Sequence, residues 1–342
     1  MSRPCYDVTM LLASLLSFAM PALAAPPTVT VSITLPAQAQ QAGLDSTQLE
    51  QALTDAIGQQ LHTADLQPYM DEMANANVLS AKGLGVDYAS DMQRFEVGGG
   101  IGTAVNGAGF ALTSGQGLPE TGFALQIGVM AGLNLGIASP KDSALRRIRI
   151  YLNGMSATTQ RDPFSAEFLN YGGHLQLQLV KGGDKDDGVR WGGMDLTTGY
   201  EFSSYILTLQ QGLPVTTDNL TWNATGNMTL TANAQSIPLE LSTNLHIFVV
   251  TGFIGVGGDY NLSGSSNATI GISGPITLSY NGQDSNVGAA SATVSQDGSA
   301  STLTPRVFAG AQVDIVMVKV YGQLNVTLDK SVGGHVGVRV AF

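Results

Sequence analysis

Charge is scarce in this chain, and basic charge scarcer still. Of 342 residues, 15 are Lys or Arg and 26 are Asp or Glu, a charged fraction of 12% and a net charge of −11. A nucleic-acid binder built on a basic surface is excluded. Cysteine is almost missing: Cys5 is the single one, so no disulfide framework, thiolate metal site or Cys nucleophile is available. The four histidines, His62, His174, His246 and His335, stand in no HxxxH or HExxH spacing, and no Ser stands in a GxSxG context. Neither a metal centre nor a nucleophile elbow is therefore anchored in the sequence. The expectation is a protein that is not an enzyme and carries no cofactor.

Long apolar runs are also missing, with one short exception. Val8 to Met20 is apolar, follows Arg3, breaks at Pro21 and closes on Ala22-Leu23-Ala24. This is the pattern of a cleavable secretory signal over residues 1–24, too short for a transmembrane helix. Cys5 precedes the run, so it does not stand where a lipidated cysteine would.

What is plentiful is glycine, 42 residues, well above the usual share of roughly 7%. Residues 25–42, with three prolines and no charge, read as an extended linker. In the next segment Leu49, Leu53, Ile57 and Leu61 recur every four residues behind Thr47-Gln48-Leu49-Glu50, which predicts a helix over about 46–61 opened by a capping box. Leu66, Met70 and Met73 predict a second short helix. Residues 43–93 are thus expected to form a helical plug or periplasmic segment whose apolar face needs a partner.

From residue 94 the helical period gives way to short alternating runs between Gly, Ser, Asn and Asp clusters, the signature of an all-β domain. Val316, Val318, Val320, Gly322, Leu324, Val326 and Leu328 alternate with Lys319, Tyr321, Gln323 and Asn325. Val336, Val338, Val340 and Phe342 alternate with His335 and Arg339, Ile148, Ile150 and Leu152 with Arg147, Arg149 and Tyr151, and Leu175, Leu177 and Leu179 with His174, Gln176 and Gln178. Further strands are expected near Glu96, Gly122, Val189, Ser203, Leu220, Ile237, Thr251, Ala268 and Thr302, for about 12 to 14 in all. The stretch from Asn281 to Ser301 reads as a solvated loop. So does the Asp184, Asp186, Asp187 cluster, which lacks the downstream Glu of a calcium loop. Leu245 to Val250 resembles Val313 to Val318, and either could hide a tight turn. Six Asn-x-Ser/Thr sequences, at Asn219, Asn223, Asn227, Asn261, Asn267 and Asn325, read as a by-product of Asn- and Thr-rich strands. The run Gly98 to Gly102 reads as a strand packed closely against a neighbour or the plug.

Strict alternation fits either a soluble sandwich or a barrel with its apolar face toward lipid. Read as one strand, 316–328 runs roughly 40 Å, which a 45° tilt projects to about 28 Å, near the apolar band of a membrane barrel. Cations at mid-strand then line a hydrated lumen, and a closed barrel is the one β structure that pairs every backbone group in hydrocarbon. The lumen-lining candidates are Arg147, Arg149, Lys319, Gln323, Asn325 and Arg339.

The last residues, Val336, Val338, Val340 and Phe342, resemble the C-terminal β-signal of Gram-negative outer-membrane barrels. The resemblance implies an outer-membrane location reached through the periplasm, with the barrel-assembly machinery, membrane lipid and lipopolysaccharide as partners. The helical segment ahead of the barrel is similar to that of the long-chain fatty-acid transporters, although their Asn-Pro-Ala motif is missing; this implies a plugged lumen and hydrophobic solutes. The expected architecture is therefore a transmembrane antiparallel β-barrel over 94–342 behind a helical segment. Two functions fit it: a passive pore or transporter for small solutes, or a structural or adhesive surface barrel working through its loops. No feature of the sequence specifies an oligomeric state.

Overall fold

The computed structural model describes residues 27–41, 45–60, 66–89, 94–107, 121–140, 143–183, 188–217, 220–280 and 283–342. The expected signal peptide, Leu61, His62 and the acidic cluster at 184–187 lie outside them. In chain order the elements are β1 (Thr28–Thr34), α1 (Ala37–Gln41), α2 (Ser46–Gln60), α3 (Leu66–Ser80), β2 (Phe95–Gly107) and β3 (Thr121–Asn134). A 3-10 turn (Ala144–Arg147) leads into β4 (Ile148–Arg161), β5 (Phe164–Lys181), β6 (Val189–Thr217), β7 (Leu220–Ile247) and β8 (Val250–Tyr280). The chain ends with β9 (Gln283–Ser299), β10 (Leu303–Ile315), β11 (Val318–Thr327) and β12 (Ser331–Ala341). No helix among the described residues is long and apolar enough to cross a membrane.

The twelve described strands form one antiparallel sheet, in the order β1-β9-β8-β10-β11-β12-β2-β3-β4-β5-β6-β7, and β7 also pairs with β8. That last pairing closes a barrel of ten strands, from which β9 and β1 branch. β8 makes the branch possible by being long. Its residues 250–260 pair with β10 and its residues 265–280 with β9, while β7 runs along its other edge. The upper parts of β6, β7 and β8, with β9 and β1, therefore rise past the shorter strands as a projecting sheet. The lower end of the barrel holds the chain terminus: Arg94 N–H donates to the Phe342 carbonyl at 3.0 Å, and the Phe95 and Phe342 rings stack at 4.6 Å.

Three readings of the sequence change here. Residues 316–328 are not one strand: Val316 and Met317 form the turn between β10 and β11, with Val316 at φ 59°. Phe248 and Val249 form the matching turn between β7 and β8, with Phe248 at φ 52°. These apolar turns carry none of the Gly or Asn that normally marks a positive φ, so alternation ran through them unbroken. The stretch 281–301 is mostly strand β9, whose Ala290, Ala292 and Val294 are buried while Ser291 and Thr293 face water. Residues 28–34 are extended, as a linker would be, but they pair with β9 from Thr28↔Ser295 to Thr34↔Ala289.

Helix α2 begins where expected, with a different cap. The Asp45 carboxylate accepts from Thr47 N–H at 2.8 Å, whereas the Glu50 carboxylate accepts from Ile33 N–H of β1 at 3.2 Å. Leu53 and Ile57 of α2 and Leu66, Met70 and Met73 of α3 are buried against Trp222, Leu230, Ile270, Ile272 and Val294 on the inner face of the projecting sheet. The partner their apolar stripes require is thus the protein's own sheet.

Candidate functional site

The barrel interior is occupied. From the C-terminal turn of α3 the chain continues through residues 81–89, which lie almost entirely buried inside the ring. Glycines on the wall admit it. A Cβ at Gly102 would overlap the Ser80 carbonyl, and one at Gly122 would overlap the α3 backbone at Glu72 and Met73. Within the run Gly98 to Gly102, Gly100 and Gly102 face the plug at Leu84 and Ser80, while Gly98 and Gly99 approach the neighbouring strands at Val338 and Gly128.

Two polar networks tie this segment to the wall. In the upper one, Lys82 Nζ is paired with the Glu201 carboxylate, lies 3.2 Å from Asp259 Oδ1 and donates to Ser236 Oγ at 2.6 Å. Arg306 carries the network onward: its Nε donates to Asp259 Oδ2 at 2.9 Å, its Nη1 to Asn325 Oδ1 at 2.8 Å, and its Nη2 pairs with Glu240. Tyr88 Oη donates to the second Glu240 oxygen at 2.7 Å, and the Tyr88 ring packs 4.6 Å from Phe308. His335 Nε2 lies 3.0 Å from the Ser80 carbonyl, and since a carbonyl can only accept, that nitrogen carries the proton.

The lower network is centred on Asp87. Arg339 Nη1 donates to Asp87 Oδ1 at 3.0 Å, its Nη2 donates to the Val86 carbonyl at 2.5 Å, and its guanidinium lies 3.8 Å from the Tyr321 ring centre. Gln176 Nε2 donates to the Asp87 carbonyl at 3.2 Å, while Arg149 Nη1 donates to Gln176 Oε1 at 3.0 Å and sits 3.4 Å from Asp195.

Each charge of the plug meets opposite charge on the wall: Asp87 meets Arg339, and Lys82 meets Glu201 and Asp259. Among the described residues no three His, Cys, Asp or Glu side chains are grouped to hold a metal ion.

Of the six lumen candidates, Arg149, Lys319, Gln323, Asn325 and Arg339 are buried on the inner face. Arg147 is the exception: it lies exposed in the 3-10 turn at the barrel rim, one residue before β4 begins. Its parity is right for the lumen, but the strand has not yet started. Sequence reasoning missed the plug residues Lys82, Asp87 and Tyr88 and their wall partners Glu201, Glu240, Asp259 and Arg306. In so weakly charged a chain, a lone charge between apolar neighbours at inward parity, as Glu240 in Leu239-Glu240-Leu241, was the signal that could have found them.

A family model described as Lsa36-like matches residues 28–342, from the first residue of β1 to the C-terminal Phe. The chain belongs to the Lsa36-like family. The match takes in β1, the plug and the barrel as one unit. No curated protein sequence matches the chain. Similar solved structures include the transport unit of the autotransporter AIDA-I from Escherichia coli, 10% identical with a TM-score of 0.24, covering 81% of this chain and 99% of that one. The CymD monoaromatic hydrocarbon channel is 8% identical with a TM-score of 0.24, covering 79% and 98%. The Ralstonia pickettii toluene transporter TbuX is 8% identical with a TM-score of 0.25, covering 82% and 93%.

Proposed function

We propose that this protein is an outer-membrane barrel, closed along its axis by residues 66–89, that acts at the cell surface through its projecting sheet. It is neither an enzyme nor a passive pore. The membrane placement rests on where the barrel changes chemistry. On β7 the outward residues Ile237, Leu239, Leu245 and Ile247 are exposed and apolar, and Leu241 joins them half-exposed. Ile237 to Ile247 covers ten steps of about 3.3 Å, and a tilt of about 40° projects this to about 25 Å, the height of a barrel's apolar band. Aromatic residues ring both margins of that band: Phe95, Trp191, Phe248 and Phe342 at the terminal end, and Tyr171, Phe202 and Tyr260 at the other. In this reading the terminal end faces the periplasm, as the likeness of Val336, Val338, Val340 and Phe342 to an assembly signal implies. Lipid, lipopolysaccharide and the barrel-assembly machinery are then the partners.

The filled lumen is the single observation that favours a closed barrel over a pore. Ten strands leave a lumen wider than wall side chains alone fill, and here residues 66–89 occupy it through two buried ion-pair networks. Conductance in a planar bilayer tests this. The full chain should be silent, and steady open-channel current at neutral pH would overturn the proposal. A gated transporter for small solutes is the second reading, favoured by the polar nature of the plug's contacts, since water can replace ion pairs when a plug moves aside. It requires current that appears only with a solute.

A further inference from the structure

The path of the N-terminal segment carries a consequence for export, and it rests on the outer-membrane reading. Thr28 pairs with Ser295, Ser295 with Thr269, and Thr269 with Thr229. Thr229 lies six residues beyond Gln235, where the apolar band of β7 ends. Six steps of about 3.3 Å at a tilt of about 40° put Thr229 about 15 Å past that margin, and the pairings carry Thr28 onto the same projecting sheet, on the side away from the chain terminus. The chain then descends. Met70 lies at Ser266, whose hydroxyl donates to its carbonyl at 2.5 Å; Ser80 meets His335; Asp87 meets Arg339; and Arg94 bonds Phe342. These last three contacts follow β12 in order from its upper half to the C-terminus.

The backbone therefore passes once through the lumen, from one side of the band to the other. We infer that the barrel conveys its own N-terminal segment across the membrane. β1, α1 and α2 are delivered to the outer surface, where residues 28–34 add the last strand to the projecting sheet, and residues 66–89 remain behind as the seal. The polar wall suits this passage. An unfolded backbone can exchange hydrogen bonds with Ser, Asn, Gln and charged side chains on the way, which an apolar lumen would not allow.

The test uses the full chain in the outer membrane of intact cells, in a Cys5→Ser background. Thr30→Cys places a thiol on the exposed face of β1, and Arg147→Cys places one on the exposed turn at the opposite end. A membrane-impermeant maleimide should label Thr30→Cys on intact cells as fully as after permeabilisation, and Arg147→Cys only after permeabilisation. If the variant runs as a heat-modifiable outer-membrane barrel and Thr30→Cys is labelled only after permeabilisation, the inference is overturned. Labelling of both sites on intact cells overturns it as well. If the protein is absent from the outer membrane, the membrane reading itself fails. A second variant reports the threaded state directly. A Cβ at Gly333 would lie 3.1 Å from Leu79 Cγ, within reach of disulfide geometry, so Leu79→Cys with Gly333→Cys should crosslink in the assembled barrel. A pair that stays reduced under oxidant would count against passage through the lumen.

Discussion

The two halves of β7 are built to opposite rules on one unbroken strand. In its lower half the outward residues are Ile237, Leu239, Leu241, Thr243, Leu245 and Ile247, and the inward ones include Ser236, Glu240, Ser242, Asn244 and His246. In its upper half the outward residues are Asn223, Thr225, Asn227, Thr229 and Thr231, and the inward ones include Trp222, Ala224, Leu230, Ala232 and Ala234. Even-numbered residues point inward throughout, so the backbone keeps its phase while the chemistry of the faces exchanges. β8 makes the same exchange across a bulge. Asp259 and Asn261 face inward below it and Ala268, Ile270 and Ile272 above it. An apolar exterior over a polar interior suits hydrocarbon outside and an ion-paired plug inside. The reverse suits water outside and helices α2 and α3 inside. In the proposed membrane reading one sheet serves two solvents, and the level of Gln235 and Leu262 is the border between them.

The sharpest way to break this comparison is to remove an acid from each region. Asp259→Ala takes away the carboxylate shared by Lys82 and Arg306, leaving buried cations under-compensated, and should cost about 3–5 kcal/mol. Asp297→Ala removes an exposed carboxylate that accepts from Asn267 Nδ2 at 2.7 Å on the outside of the projecting sheet, and should stay within about 0.5 kcal/mol. Equilibrium urea unfolding of the refolded barrel reads both, with limited proteolysis of 66–89 reporting plug release in the first. Equal effects would mean that the interior network is not what seats the plug.

Next in size is a pair on one face of one strand. Leu239→Arg puts a guanidinium against lipid and should destabilise the barrel in bilayers by about 2–4 kcal/mol, falling toward about 1 near the margin of the band. Asn227→Arg, twelve residues earlier and also facing outward, adds a charge in water and should change stability by less than about 0.5 kcal/mol. If Asn227→Arg were the costlier change, the border would be misplaced.

The architecture of these regions was legible to different degrees. Barrel strands announced themselves through alternation, because an apolar outer face and a polar inner face impose opposite chemistry on successive residues. Counting went astray in a compensating way. The starts expected near Val189 and Ser203 belong to one strand, as do those near Leu220 and Ile237 and those near Thr251 and Ala268. In each case the Gly, Ser and Asn residues between them lie within one continuous strand, at bulges or on either face, and form no turn. β1 and β9 were missed because their outward faces are Ser and Thr and their inward faces are largely Ala and Val, a contrast too weak to separate from a loop. Of the six residues expected from parity to line the lumen, Arg149, Lys319, Gln323, Asn325 and Arg339 lie buried on the inner face. The plug's own charges were not legible in this way, since Lys82 and Asp87 sit in an irregular segment where no period says which way a side chain points.

A smaller effect follows from pH and bears on the barrel region alone. Ion pairs of Asp87 with Arg339 and of Lys82 with Glu201 and Asp259 hold the plug to the wall, and strong acid, by protonating those carboxylates, removes one charge from each pair. Bilayer conductance should accordingly stay silent across the neutral range and rise only in strong acid. The helices under the projecting sheet, held by apolar packing, should keep their protection from proteolysis at a pH where the barrel begins to conduct. Conductance that opened near pH 6.5 would point to histidine instead and defeat this assignment.

The smallest effect is expected at the margin of the projecting sheet. β1 is a terminal strand, and a bare edge there would offer its backbone groups to any other chain. Glu50 of α2 covers part of that edge by accepting from Ile33 N–H at 3.2 Å, which explains why this residue reaches toward β1 instead of closing a capping box on its own helix. Glu50→Ala should therefore cost only about 0.5–1.5 kcal/mol, the net value of one partly exposed hydrogen bond. It should be felt locally, as faster amide exchange at Ile33 and its β1 neighbours with the barrel strands unchanged. Because Asp45 and not Glu50 caps α2, the helix itself should keep its protection. Loss of protection in α2 but not in β1 would return Glu50 to the capping role its sequence context suggests, and leave the edge of β1 guarded by apolar packing alone.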